Sequence, residues 1–291
     1  MATIRQVRQR IKVAKNIQQI TKAMKMVAAA RLKKAQDRVT AARPYAGTMR
    51  ELITQLASTV GSEVTHPLLA TRPVRNVGFF IITADRGLAG SYNSAVLRKS
   101  MEMLKGYDKT RLKLYVAGKK GIAFFRRRGF DVVEEFGLNM TGTTIEEARD
   151  ISKLLRKSFE TENVDQLFMI YTRFFTAITQ KPTDVQLLPL KQPEVADAAA
   201  SSGANTDYLF EPSAEELLRA LLTRYLDGQV YQALLESVAS EHGARMTAMN
   251  SATDNAGKMI TGLTLQLNRA RQAGITREIS EIVGGAEALK G

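Results

Sequence analysis

Residues 235–270, LESVASEHGARMTAMNSATDNAGKMITGLTLQLNRA, decide the fold. Leu235, Ala239, His242, Met246, Met249, Thr253, Ala256, Ile260, Leu263, Leu267 and Ala270 follow one another at alternating steps of four and three. That spacing is the seam of a helix lying along a second helix. The second helix is at the opposite end of the chain, where Ile4, Val7, Ile11, Ala14, Ile17, Ile20, Met24, Val27 and Leu32 repeat. Val7 through Ala14 keep the heptad, and the steps of three that follow predict a stutter in the supercoil. Two long helices at the chain ends, paired with each other, leave everything between them as an insert.

The first helix is expected from about Ile4 to near Ser58, ending at Gly61, with a bend between Arg43 and Gly47 because of Pro44. The last is expected to start near Pro212, with Glu215 and Glu216 at the positive end of its dipole, and to stop at Gly284 and Gly285. Between them, 76–83 (NVGFFIIT), 111–118 (RLKLYVAG), 130–136, 164–175 and 182–190 read as strands. Amphipathic stretches at 91–105, 119–128 and about 144–161 read as helices. Strands alternating with helices imply βαβ units and a largely parallel, covered sheet. Residues 192–207, small and polar, read as a connector. The expected fold is α/β: a long antiparallel coiled coil of residues 1–60 and 208–291 around a Rossmann-like domain at 61–207.

Charge is unevenly spread. Residues 1–60 hold thirteen Lys or Arg against two acids, 61–207 carry a net +4, and 208–291 a net −2. The partner of the amino-terminal helix is therefore expected to be acidic. The absence of cysteine excludes disulfides and thiolate metal sites. No apolar run approaches the roughly 20 residues of a membrane span, so the chain is expected to be soluble or peripheral. The amino terminus is basic and free of acids until Asp37, as a mitochondrial presequence would be, but it has no serine before Ser58 and its periodicity runs on.

An α/β insert invites an enzyme reading. The turn ADRGLAGSYNS (84–94) sets Gly87 and Gly90 between a strand and a helix, where free amides can cradle a phosphate. It lacks the full G-x-G-x-x-G of dinucleotide sites and the G-K-[ST] of phosphate loops, and GKKG (118–121) is weaker still. A tight turn steadied by Asp85 and Arg86 is the simpler expectation. His66 and His242 suggest no metal site, and His242 sits in the seam among alanines, where packing suits it. A basic helix could also bind nucleic acid, but it has no aromatic before Tyr45 to stack a base. No catalytic residue, cofactor, metal or small-molecule substrate is expected, and no nucleic-acid partner. The rivals kept open are a nucleotide-binding enzyme and a basic nucleic-acid-binding helical protein.

IRQVRQRIKVAKNIQQITKAMKMVAAARLKKAQ (4–36) resembles the amino-terminal helix of the γ subunits of F-type ATP synthases. ITADRGLAGSYNS (82–94) resembles that family's first strand and turn, where cysteine often stands at the place of Ala89. YLFEPSAEELL (208–218), ASEHGARMTAMNSATDNAGKMI (239–260) and LNRARQAGITREISEIVGGAEAL (267–289) resemble its last helix. The resemblance implies a non-catalytic shaft inside a ring of three α and three β subunits, converting ion-driven rotation of a membrane c-ring into ATP synthesis on β. It also implies contact with an ε subunit and a peripheral place on the cytoplasmic face of a bacterial membrane. Small residues in the seam (Ala239, Thr253, Ala256, Ala270) suit a thin shaft, and Gly243, Gly257, Gly262 and Gly274 are expected where a neighbour comes close.

By the same resemblance, Lys22, Lys25, Arg245, Arg269, Arg271, Gln272 and Thr276 are expected to face β subunits. Ile275, Ile279, Ile282 and Val283 would form the tip held in an apolar bearing. Tyr208 and Glu211 would touch the loops of the c-ring, although Glu211 could equally serve the helix start.

Overall fold

The computed structural model describes residues 3–60, 66–137, 143–190, 211 and 213–288. The chain divides into two compact units, Met1–Ala28 with Met246–Gly291, and Ala29–Arg245. Helix α1 (Ile4–Val60) and the last helix, α5 (Ala214–Ala288), each contribute to both.

In the first unit the two helices run antiparallel. Thr253 donates to Thr21 (2.8 Å), Lys25 donates to Asn250 (2.6 Å), and a Cβ on Gly257 would stand 3.2 Å from Gln18. The α5 seam follows the predicted positions: Met249 and Ala256 are buried, and Thr253, Ile260, Leu263, Leu267 and Ala270 are half-buried. The α1 seam differs from the expectation. Val7, Ala14, Thr21 and Ala28 are buried and Ile11, Gln18 and Lys25 half-buried, so the heptad is unbroken. The expected stutter through Ile17, Ile20 and Val27 does not occur, and those side chains are exposed, with Val13, on the outer face. The physical reason is size. Thr21 and Ala28 allow close helix approach, and Thr21 satisfies its hydroxyl on Ile17 or Gln18 carbonyls and on Thr253.

In the second unit a five-stranded sheet is built from β1 (Val77–Ile82), β2 (Leu112–Ala117), β3 (Val132–Phe136), β4 (Gln166–Phe174) and β5 (Gln180–Leu188). Their order is β3-β2-β1-β4-β5, parallel except for β5. Helices α2 (Tyr92–Leu104) and α3 (Lys119–Arg127) cover one face through Val96, Leu104 and Phe125, packed on Phe79, Ile81 and Leu114. Helix α4 (Ile145–Glu160), with a capping box between Thr144 and Glu147, covers the other. There Leu155 and Phe159 join Phe80, Ile82 and Leu167, together with Met49, Ile53 and Leu56 of α1 and Leu218, Leu222, Leu226 and Val230 of α5. Burial on both faces explains why β1 is apolar at every position.

One element end differs from expectation, the last. Pro44 lies within α1, where it withholds one backbone hydrogen bond and its ring crowds the carbonyl four residues back. Helix α5 begins after Ser213, whose hydroxyl accepts from Glu216 N–H, with Glu215 and Glu216 in the first turn as expected. The Pro212 start itself lies outside the described residues, as does the connector at 192–207. Helix α5 also runs through Gly284 and Gly285 to Ala288. Glycine lowers helix propensity by about 1 kcal/mol, but it stops a helix only where a left-handed turn is required. Of the four glycines expected to mark close neighbours, Gly243 and Gly257 do so, while Gly262 and Gly274 have nothing within 4 Å.

Candidate functional site

In a sheet of this topology a nucleotide would sit beyond the carboxyl ends of β1 and β4, beside the turn of residues 83–91. That turn is fastened at each point. Thr83 donates its hydroxyl to the Ala117 or Gly118 carbonyl and accepts from Gly121 N–H. Asn93 accepts from Ala84 N–H and donates to the Arg86 carbonyl. Asp85 accepts from Lys119 N–H at 2.9 Å, so it serves α3 more than the turn. The expected steadying by Asp85 and Arg86 thus falls chiefly to Asn93 and Thr83. Leu88 adopts a left-handed φ of 61° and exposes its side chain.

The space above these strand ends is taken by the chain's own helix α5. Ser240 donates to the Thr172 carbonyl (3.1 Å), and Glu236 accepts from Phe174 N–H (3.3 Å). A Cβ on Gly243 would lie 2.9 Å from the Ala177 carbonyl oxygen, so the close approach admits only glycine. Arg245 donates to the Gly87 carbonyl (3.1 Å) and is paired with the buried carboxylate of Glu241. Burial raises the Glu241 carboxyl above its usual range, opposed by Arg245. The neighbouring Tyr92 hydroxyl is also raised, by burial first and by Glu241 second. A carboxylate beside the first residue of α2 disfavours a phosphate there, where free amides alone would attract one. The cavity lined by Arg31, Lys34, Arg38, Leu235 and His242 holds about 180 Å³, below the roughly 300–1,000 Å³ of ligand pockets.

The residues expected to face partners are distributed through both units. Lys22, Arg269, Arg271, Gln272 and Thr276 are exposed, and Lys25 is half-buried on Asn250. Arg245 differs in kind, because its side chain keeps only 13% exposure and its donors are engaged within its own unit. Ile275 (49%), Ile279 (56%), Ile282 (71%) and Val283 (57%) are exposed on α5, at spacings that put them on one helix face. Glu211 is exposed, and Tyr208 lies outside the described residues. Sequence reasoning missed the polar row Glu236, Ser240 and Glu241. Its only signal is four hydrogen-bonding side chains, Glu236, Ser237, Ser240 and Glu241, within six residues of α5.

Among the described residues no helix is long and apolar enough to cross a membrane. The family model described as ATP synthase matches residues 3–289. The chain is 47% identical to the ATP synthase gamma chain of Desulfitobacterium hafniense, over 100% of both sequences, and 48% identical to that of Moorella thermoacetica, again over 100% of both. Its fold is similar to a chain of the central stalk and c-ring structure of Tetrahymena thermophila mitochondrial ATP synthase, at 28% identity and TM-score 0.62, covering 80% of this chain and 99% of that one. It is also similar to a chain of the Euglena gracilis mitochondrial enzyme, at TM-score 0.67 over 98% and 94% of the two chains, where 19% identity speaks for the fold alone. The paired terminal helices, the sheet inserted between them and the full-length identity place this chain in the ATP synthase gamma-chain family.

Proposed function

We propose that the chain is the central rotor shaft of an F-type ATP synthase, without catalysis of its own. It would couple rotation of an ion-driven c-ring to conformational change at three β-subunit sites. The observation that carries this is the occupation of the nucleotide-binding position of the sheet by α5, through Ser240, Glu241 and Arg245, in a chain matching gamma chains over its whole length. A helix lodged there leaves the α/β domain to serve as a handle. The segments 1–60, 61–207 and 208–291 are the helix, insert and helix of this design, with the whole peripheral to the cytoplasmic membrane face.

Partner contacts follow from exposure and charge. Lys22, with Arg269, Arg271, Gln272 and Thr276, is free to meet acidic and polar groups of the β subunits. Lys25 can do so by giving up Asn250. Glu211 and Tyr208 are the candidates for the c-ring loops, and the ε subunit is a further partner of the insert. Exposed ion pairs are worth about 0–1 kcal/mol each, so they adjust coupling rather than hold the assembly. Reversing charge at Arg269 and Arg271 together is expected to reduce ATP-driven ion pumping several-fold while the complex still assembles. Unchanged pumping in inverted vesicles counts against these contacts.

The apolar tip carries the second expectation. Each of Ile275, Ile279, Ile282 and Val283 is worth roughly 1.5–3 kcal/mol when buried, and in the chain by itself all four face solvent. The antiparallel pairing, in which Thr21 meets Thr253 and Lys25 meets Asn250, leaves no α1 residue opposite them. Hydrogen exchange over residues 270–285 is expected to be fast in the isolated chain and slow in the α3β3-bound one. Equal protection in both states removes the physical case for a sleeve around the tip.

A further inference from the structure

Helix α5 meets the sheet through two kinds of surface. Residues 218–234 pack with apolar side chains, Leu218, Leu222, Leu226 and Val230 among them. Such contact is non-directional and lets a helix roll or slide at small cost. Residues 236–245 meet it through hydrogen bonds aimed at two separate places. Glu236 and Ser240 hold the end of β4, at Phe174 N–H and the Thr172 carbonyl. Arg245 holds the turn after β1, at the Gly87 carbonyl, and is itself gripped by Glu241.

The interior of this junction is rich in polar groups. Glu236, Ser237, Ser240, Glu241 and His242 are all buried. Gln232 donates to the second oxygen of Glu236, so both oxygens of this buried side chain are hydrogen-bonded. The hydroxyls of Tyr92, Thr172 and Ser237 gather beside the Glu241–Arg245 pair, with Tyr92 in reach of both Ser237 and Thr172. Burying this many polar groups costs stability, and an apolar helix face would have been cheaper. What polar groups supply in return is direction: a hydrogen bond weakens steeply when its angle changes. Gly243 adds a steric stop, since its backbone lies against the Ala177 carbonyl with no room for a Cβ.

We propose that Glu236, Ser240, Glu241 and Arg245 form a torsional lock, the joint through which torque passes between α5 and the sheet. Arg245 is its positioning residue, acting on the Gly87 turn. The lock rests on the rotor reading above. Rotation of α5 about its own axis would have to break bonds to β4 and to the β1 turn together, because they lie on different strands of the sheet. The row of buried acids and serines is thereby explained as a mechanical part, where nucleotide chemistry leaves it without a role.

The test uses the assembled α3β3 complex of this chain, with a bead attached to the insert. Lys105, exposed at the end of α2, is changed to cysteine for the attachment, which is specific because the chain has no cysteine. At each pause of the rotor the angular variance of the bead is inversely proportional to torsional stiffness. Arg245→Met, which keeps the length of the side chain and removes its donors, is expected to raise that variance about twofold, as loss of a charge-assisted bond at one of the two anchor points implies. Arg245→Lys, which keeps the charge and one directional donor, is expected to fall between. A merely structural role lowers the melting temperature and leaves the variance unchanged. If Arg245→Met does not assemble, Ser240→Ala removes one bond without stranding a charge and is expected to widen the distribution by a smaller factor. Parent and variant distributions of equal width, in complexes that rotate, overturn the lock. A parent complex that hydrolyses ATP with a still bead overturns the rotor reading instead.

Discussion

Gly118→Ala is expected to destabilise the chain by about 4 kcal/mol or more, among the largest effects of any single methyl group. Gly118 has a φ of 95°, a region costly for any side chain, and a Cβ there would fall 2.1 Å from the Thr83 carbonyl oxygen and 2.6 Å from its carbon. Neither side can give way. Thr83 N–H donates to the Ala117 carbonyl, and its hydroxyl is engaged between Ala117, Gly118 and Gly121. Gly118 N–H is bonded to the Phe136 carbonyl. The substitution therefore pries apart the ends of β1 and β2, at the base of the turn that Arg245 holds. Thermal unfolding should show a fall on the order of 10 °C for a domain of this size. A shift within a degree or two contradicts this account of the β1–β2 junction.

Asp165→Ala is expected to cost about 3 kcal/mol, the lower end of the range for stripping one partner from a buried ion pair. Asp165 is 5% exposed and pairs with Arg72 at 2.7 Å. Its other oxygen accepts from the N–H groups of Arg75 and Asn76, 2.7 and 2.9 Å away. Without it those amides lose their acceptor. Arg72 keeps only the carbonyls of Phe159 and Val164 and its place over the Phe159 ring. Burial by itself would raise the Asp165 carboxyl, but the two N–H donors and Arg72 outweigh it and hold it below the ordinary value of 3.8. A carboxyl lowered on folding stabilises fully above its unfolded value and loses that contribution as pH falls through the folded one. The gap in unfolding free energy between parent and Asp165→Ala is therefore expected to be constant at neutral pH and to close below about pH 4. A gap that persists unchanged to lower pH would falsify the assignment to the charged form.

Much of the architecture was legible because it rests on local periodicity. The seam of α5 from Leu235 to Ala270 and the apolar run of β1 each obey a single repeat. The seam of α1 was misread because hydrophobicity was taken as the mark of burial. At a close crossing Thr21 and Ala28 fit better than Ile20 and Val27, and the larger residues are left outward. The polar lock was not legible for a different reason. Glu236, Ser240 and Arg245 find partners on β4 and the β1 turn, far away in sequence, and no spacing within α5 announces those partners. The burial of the Arg245 side chain shows the same limit, since exposure is decided by tertiary packing that charge alone does not encode.

Rotation is the property on which the account stands. A single cysteine at position 105 lets a bead be placed on this chain within an immobilised α3β3 complex, and ATP is then supplied. The account predicts that the bead turns continuously in one direction at a rate that follows hydrolysis. Steady hydrolysis by the assembled complex with the bead stationary, or wandering without direction, contradicts it.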